Sequence, residues 1–408
     1  MRGADGRTII VLGGGVGGLT AANELHKRLG RQHRVVLVDK SAQHLYTPSL
    51  LWVVTGQRQP GQITKELRRM LDPGVEVLHA EVKEIDAEKQ SVKTSVGERG
   101  YDYLVVALGA DIAPEAMPGY QEAAHNFYDL EGATSLKQAL DRFDGGRAVV
   151  AVSSLPYKCP AAPYEAALLI DDALRRRGVR DRADVQMFAP EPQPMPVAGP
   201  VVGNAVKGML ERQGIGYHPS MQLLRVDGER RELVFADGST AGFDLLAGVP
   251  PHRSPRAVKE SALANEAGWV PVDRRTLRTR FENVYAIGDV AAVGLPNGKL
   301  LPKAGVFAHA QALAVAGTIA AQIQGTSGLE FDGVGFCWIA MARGKAGFAA
   351  GAFYAEPDPA MDLRQPGRLW NIGKVLFERY WMGEGLTRTT ARLGLVLGSR
   401  VLGVPARL

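Results

Sequence analysis

Two cysteines occur in the 408 residues, Cys159 and Cys337. They are too few for a secreted disulfide scaffold and too far apart for a CxxC motif, which leaves a redox-active pair assembled by the fold or two buried, inert thiols. Cys159 stands just ahead of a segment whose helical apolar periodicity begins near Tyr164. Its sulfur can therefore sit at a helix N-terminus, where the dipole lowers a thiol pKa. Glu165 falls in the first turn of the same helix, a common place for a dipole-compensating acid.

A second constellation is Gly13-Gly14-Gly15-Val16-Gly17-Gly18. Gly13 permits a tight turn, Gly15 lets backbone N–H groups approach a pyrophosphate, and Gly18 allows close packing of helix on strand. Asp39, followed by Lys40, stands where a carboxylate accepts ribose hydroxyl hydrogen bonds. These groups need a strand, a helix and a second strand to bring them together. Residues 8–12 form a buried parallel strand, 19–29 a helix and 34–38 the next strand.

Two further segments resemble those of two-dinucleotide flavoproteins and imply FAD rather than a dissociable nicotinamide. Residues 101–110, ending in Leu108-Gly109-Ala110, resemble the strand closing the first nucleotide unit. Val284-Tyr285-Ala286-Ile287-Gly288-Asp289 resembles the second FAD motif, whose aspartate holds the ribityl chain. After it, Pro302-Lys303-Ala304-Gly305 leads into an alanine-rich helix reaching about Gln324. By the same resemblance that helix aims its positive end at the flavin pyrimidine, with Lys303 adding to the field.

Residues 147–152 form another buried strand, but no second glycine fingerprint follows it. Ser153-Ser154-Leu155-Pro156-Tyr157-Lys158-Cys159-Pro160 stands there instead, so the phosphate cradle for a nicotinamide dinucleotide is absent. The next strand, 184–188, ends in Ala189-Pro190-Glu191-Pro192, and Glu191 between its prolines reads as a loop residue. Nicotinamide is not the expected electron source.

At 46% hydrophobic and 22% charged residues the composition is that of a soluble globular protein, and the length calls for two or three compact units. The first residues lack the pattern of a secretory signal, so a cytoplasmic location is expected. No metal-ligand spacing appears. From Gly367 onward seven basic residues face two acidic ones, a surplus equal to the whole formal charge of +5. With Trp370, Phe377, Tyr380 and Trp381 mostly on one helical face, the tail suits an anionic membrane surface better than nucleic acid. The run 393–404 is too short and mixed to span a bilayer, so it lies on one or forms a helical hairpin against the body or a dimer partner.

Taken together, the chain resembles sulfide:quinone oxidoreductases and the flavin subunit of flavocytochrome c sulfide dehydrogenases. The resemblance rests on the N-terminal fingerprint, His44-Leu45-Tyr46-Thr47-Pro48, Lys158-Cys159-Pro160 with Glu165, Gly288-Asp289, Pro302-Lys303, Cys337, and Lys374-Val375-Leu376-Phe377-Glu378-Arg379-Tyr380-Trp381. It implies that Cys159 and Cys337 flank the flavin. Hydrosulfide would attack their bridge, leaving a persulfide on one sulfur and a thiolate that passes electrons to FAD. The resemblance makes Glu165 a proton carrier in the sulfide pocket and puts Lys374 and Phe377 in a quinone pocket. It also sets Tyr128 near the place of a third cysteine found in many members.

The expected architecture is α/β, with two Rossmann-like dinucleotide-binding-type domains and a C-terminal membrane-associating helical region. The FAD unit is expected at 1–116 and 245–325, the second unit at 117–244 and the quinone and membrane region at 326–408. The expected activity is sulfide oxidation coupled to reduction of a membrane quinone, by a protein peripheral on the inner face of the cell membrane and with homo-oligomerisation open. The rivals are a type II NADH:quinone oxidoreductase and a non-catalytic flavin redox sensor or persulfide-binding protein.

Overall fold

The computed structural model describes residues 6–404. The first five residues and Arg407 of the basic tail lie outside them. The first sheet has five parallel strands in the order Val284–Ala286, Tyr103–Val106, Thr8–Leu12, Arg34–Asp39, Glu76–His79. Ile9 to Leu12 and Val35 to Val38 are almost wholly buried, because helices cover both faces of a parallel sheet and leave no polar side to alternate with. Helix α1 (Val16–Leu29) starts one residue after Gly15 and packs on the sheet. It also packs along the helix Gly305–Gln324, which is apolar and long enough to cross a membrane but is 67% buried as the core helix of this unit.

A second parallel sheet runs His125–Asn126, Leu245–Val249, Gly146–Val152, Ala183–Phe188, Gly216–His218. Leu245–Val249 pairs with Gly146–Val152 here, so on strand pairing the chain crosses back to the first sheet after Val249, not at 245. Five consecutive buried residues with no polar partner face require a central strand, and this sheet offers that place. Helix α2 (Ala162–Arg176) follows the Ser153–Pro160 segment and is buried along most of its length.

Three antiparallel strands, Val334–Ala342, Lys345–Ala352 and Ala360–Gly367, then carry the chain to a hairpin of helices. The earlier long helix Gly305–Gln324 is α3 here, and the hairpin is α4 (Arg368–Met382) and α5 (Gly385–Leu402). The expected outward aromatic face is not observed. Trp370 stacks on Phe348 at 4.7 Å, Phe377 lies 5.3 Å from Trp338, and the Trp381 indole N–H donates to His44 Nε2 at 2.9 Å. Packing on the antiparallel sheet buries more aromatic surface than solvent or headgroups would, so α4 turns its rings inward. The larger exposed apolar face belongs to α5 and is aliphatic: Leu386, Leu393, Leu397 and Val401, with Leu386 79% and Val401 83% exposed; α4 adds Leu369 and Ile372.

Candidate functional site

The glycine loop has the form a pyrophosphate needs. Gly13 has φ of 100°, and a Cβ there would lie 2.4 Å from Ala107 O. A Cβ on Gly18 would fall 1.7 Å from Gly13 O, which fixes the closeness of α1 to its strand. In front of Gly15, by contrast, there is nothing within 4 Å. That open space at the positive end of α1 fits a diphosphate. Asp39 braces the loop, accepting from Gly14 N and, at 2.6 Å, from Ser41 N, while Lys40 beside it is exposed. Gly109 and Gly288 both adopt positive φ beyond strand ends of this sheet. Gly288 N donates to Gln311 of α3 at 2.7 Å.

Asp289 is half-buried; desolvation raises its carboxyl pKa, and Lys158 and Lys303 oppose the rise. Lys303 donates to Asp289 O and lies 3.5 Å above the Trp269 ring, with burial pushing its ammonium down to about 8. Ala304 caps α3 and Gly305 is its first residue. These groups fit FAD: the glycine loop at Gly15 would hold its diphosphate, and Asp289 with the start of α3 would hold its flavin end. Gly15→Ala should therefore leave the melting temperature of the apoprotein unchanged yet lower the FAD retained on purification, whereas Gly18→Ala should unfold or misassemble the chain itself. Thermal melts of apoprotein and the flavin-to-protein absorbance ratio separate the two.

Cys159 lies at the mouth of α2 with φ of 57°, a left-handed conformation that is rare outside glycine, and its N–H donates to Lys303 O at 2.7 Å. Ala162 N–H donates to the Cys159 carbonyl at 2.9 Å, and the backbone N–H groups of Ala161 and Ala162 act to lower the thiol pKa. The expected low thiol pKa is nevertheless overturned. Burial outweighs those amides and pushes the thiol up to about 12, with Glu165 adding to the rise. Cys337, on the strand Val334–Ala342, is also pushed well up by burial, and Cys159 is near enough to add to the effect. Both cysteines are free thiols, and Cys337 Sγ donates to Trp338 O at 3.3 Å. Lys158 turns away and donates to Ala110 O at 3.1 Å.

Glu165 and Lys374, assigned by sequence to different pockets, are one ion pair. Glu165 Oε1 accepts from Lys374 Nζ at 2.7 Å and from Ala340 N at 2.6 Å, all of it buried. One turn along α4, Glu378 accepts from Ser49 Oγ at 2.7 Å and from the Arg58 guanidinium. Trp52 lies between the two pairs, under Arg58 at 4.7 Å and Lys374 at 5.1 Å. Sequence reasoning missed Ser49, Trp52 and Arg58. The available signal was Lys374 and Glu378 at helical spacing on the buried side of α4.

On the far side of the antiparallel sheet a cavity of about 140 Å³ opens between Phe336, Trp338, Phe348, Phe377 and the glycines Gly394 and Gly398 of α5. Phe377 lines it, whereas Lys374 does not. Cys337 sits in sequence between two of its walls, Phe336 and Trp338.

The family model described as pyridine nucleotide-disulphide oxidoreductase matches residues 7–312. A mitochondrial sulfide:quinone oxidoreductase of Mus musculus is 27% identical over 310 residues, covering 71% of this chain and 66% of that protein. The sulfide-quinone reductase of Aquifex aeolicus is 24% identical over 396 residues, 92% of this chain and 90% of the relative. A solved sulfide:quinone oxidoreductase structure from Aquifex aeolicus superposes with a TM-score of 0.84 at 20% identity, over 97% of this chain and 94% of that one. Type II NADH:quinone oxidoreductases are also among the relatives. With the glycine loop, the Asp289 and α3 groups and this match over most of its length, the chain belongs to the pyridine nucleotide-disulphide oxidoreductase family and is an FAD-binding flavoprotein oxidoreductase similar to sulfide:quinone oxidoreductases.

Proposed function

We propose that the protein oxidises sulfide at the Cys159 and Cys337 pair and delivers the electrons to a quinone bound in the apolar cavity beneath the hairpin. The observation that carries this reading is that Cys159 stands where a second glycine fingerprint would otherwise receive a nicotinamide, with its N–H on Lys303 O, and packs against the same hydrophobic cluster as Cys337, near enough for the two to interact electrostatically. Hydrosulfide attacks one sulfur of the oxidised pair, forming a new S–S bond and releasing the other cysteine as a thiolate. Bound FAD supplies two-electron acceptance from sulfur and two-electron delivery to quinone. Because burial disfavours the thiolate, it forms only where its negative charge is answered, and the α2 amides and Lys374 supply that answer. Phe336 and Phe377 give flat apolar walls suited to a quinone ring. The Leu386, Leu393, Leu397 and Val401 face of α5 rests on the membrane that holds the quinone.

Anaerobic titration of the purified flavoprotein tests the reading. Sulfide should bleach the flavin band at near-stoichiometric amounts while NADH bleaches it far more slowly. Equal bleaching by NADH would replace the proposal with the type II NADH:quinone oxidoreductase reading.

The buried pair makes a stability prediction as well. Lys374→Met strands the Glu165 carboxylate in an apolar wall and should cost about 3–5 kcal/mol in denaturant unfolding. Adding Glu165→Gln should recover most of that loss, because the uncompensated charge is then gone.

A further inference from the structure

The walls of the apolar cavity beneath the hairpin hold no proton donor of the kind a reaction needs. They are aromatic, aliphatic and glycine residues with Ser399, whose hydroxyl donates to Val396 O at 2.9 Å, and no ionisable side chain is among them in the described residues. The proposed reaction nevertheless consumes protons. Oxidation of HS− to sulfane sulfur releases two electrons and one proton, whereas reduction of a quinone to a quinol takes up two electrons and two protons. One proton per turnover must therefore enter from solvent.

Two further spaces join the cavity to the outside. Phe336 and Phe377, edge to face at 6.1 Å, line the cavity and also a gap of about 10 Å³ against α3, which has room for about one water molecule. The remaining walls of the gap are apolar or glycine except His309 of α3. His309 also lines a cleft of about 600 Å³ between α1, α3 and the turn of the hairpin. Lys27, Arg69, Arg388 and Arg392 stand exposed in the walls of that cleft, so it opens to water. His309 is thus the one polar side chain between an open cleft and the gap behind the cavity. It is 8% exposed, lies edge to face with Trp381 at 6.0 Å, and makes no hydrogen bond among the described residues. Buried polar groups are nearly always paired, so an imidazole left without a protein partner between two spaces has water as its natural neighbour.

Resting on the reading that the apolar cavity takes a quinone, we propose that His309 passes the solvent proton to the quinone oxygen, through a water in the gap beside Phe336 and Phe377. The step moves a proton only. One ring nitrogen takes a proton from water in the cleft while the N–H bond at the other breaks, its electron pair staying on nitrogen. The water in the gap accepts that proton and hands one of its own to the quinone oxygen, where the new O–H bond forms. Turning of the ring restores the first tautomer. Electrons come from the bound flavin as in the parent reading, and the second quinol proton is the one that HS− brings. Burial lowers the His309 pKa to about 4 against the pull of Glu24, so at pH 7 the ring is neutral, with one N–H to give and one bare nitrogen to receive.

Stopped-flow oxidation of the dithionite-reduced holoenzyme by a short-chain quinone tests the relay without using the sulfide reaction. His309→Ala should slow flavin reoxidation about tenfold or more, while sulfide still bleaches its flavin at the wild-type rate. Added imidazole, entering from the cleft into the space left by the ring, should restore most of the lost rate. His309→Gln keeps the side chain's bulk should the smaller residue disturb folding, and it should be equally slow because an amide cannot pass a proton from one end to the other. A redox-inert quinone analogue, titrated by tryptophan fluorescence, should bind the wild type and both variants with the same affinity, since His309 lies outside the cavity. Unchanged reoxidation in the variants overturns the relay alone. Slow reoxidation that imidazole leaves slow, or that comes with weakened binding of the analogue, also overturns it, because His309 then acts by packing. A wild-type reduced flavin that quinone leaves reduced overturns the parent reading and the relay with it.

Discussion

Cys337→Ser should keep its FAD and lose rapid bleaching by sulfide, with the rate down about 10³-fold or more, as when a covalent nucleophile is removed from an enzyme. The two halves of that expectation come from separate parts of the structure. The groups that would hold FAD are the glycine loop, Asp39 and the Asp289 and α3 groups, none of which touches Cys337 through a hydrogen bond. The sulfur that would be attacked or released is gone. A serine hydroxyl in this buried wall costs about 1–3 kcal/mol if it finds no acceptor, so Cys337→Ala should be measured beside it. Stopped-flow absorbance of both variants at matched flavin content reads the result. Cys159→Ser should behave in the same way, and unchanged reduction in either variant would remove the cysteines from the mechanism.

Ending the chain at Glu384 should release the protein from anionic vesicles and abolish quinone reduction, while sulfide still bleaches the flavin. From sequence alone the natural cut is at Gly367, but that cut would strip Lys374 from Glu165, Glu378 from Arg58 and Trp381 from His44. It would disrupt the body as well as the tail. A stop after Glu384 keeps all of α4 and the Glu384 pairs with Lys65 and Arg69. It removes the exposed face of α5, where each aliphatic side chain buried in lipid is worth about 1.5–3 kcal/mol. Arg388, Arg392 and Arg400 go with it, each contributing about 1 kcal/mol of attraction to an anionic leaflet. It also removes Gly394, Gly398 and Leu402 from the wall of the apolar cavity proposed to take the quinone. Vesicle co-sedimentation beside flavin bleaching reads both effects, and full vesicle binding by the shortened chain would place the membrane contact elsewhere.

Much of the FAD unit was legible in the sequence because its constraints are local. A strand, a glycine turn and a helix occupy contiguous residues, and each glycine answers to one steric demand, as Gly18 does to Gly13 O. The second sheet was legible in its strands but not in its return, because Leu245–Val249 pairs with a strand almost a hundred residues earlier and its apolar run suits either sheet. The thiol pKa of Cys159 was misread for a related reason. Helix amides are visible in local sequence, whereas the burial that outweighs them comes from segments far along the chain. His44 shows the same limit. Its Nδ1 donates to Gly14 O at 3.0 Å while Nε2 accepts from Trp381, so a motif residue turns out to be a strut between the glycine loop and α4. Only the folded chain joins those three segments.

Whether electrons from sulfide reach quinone through this protein separates sulfide oxidation from its rivals. Steady-state reduction of a soluble short-chain quinone by the purified holoenzyme, with sulfide or NADH as the only donor, measures that directly. Sulfide-dependent turnover that Cys159→Ser and Cys337→Ser each abolish, with little turnover on NADH, is the expected result. Turnover driven by NADH and indifferent to both cysteine substitutions would contradict it.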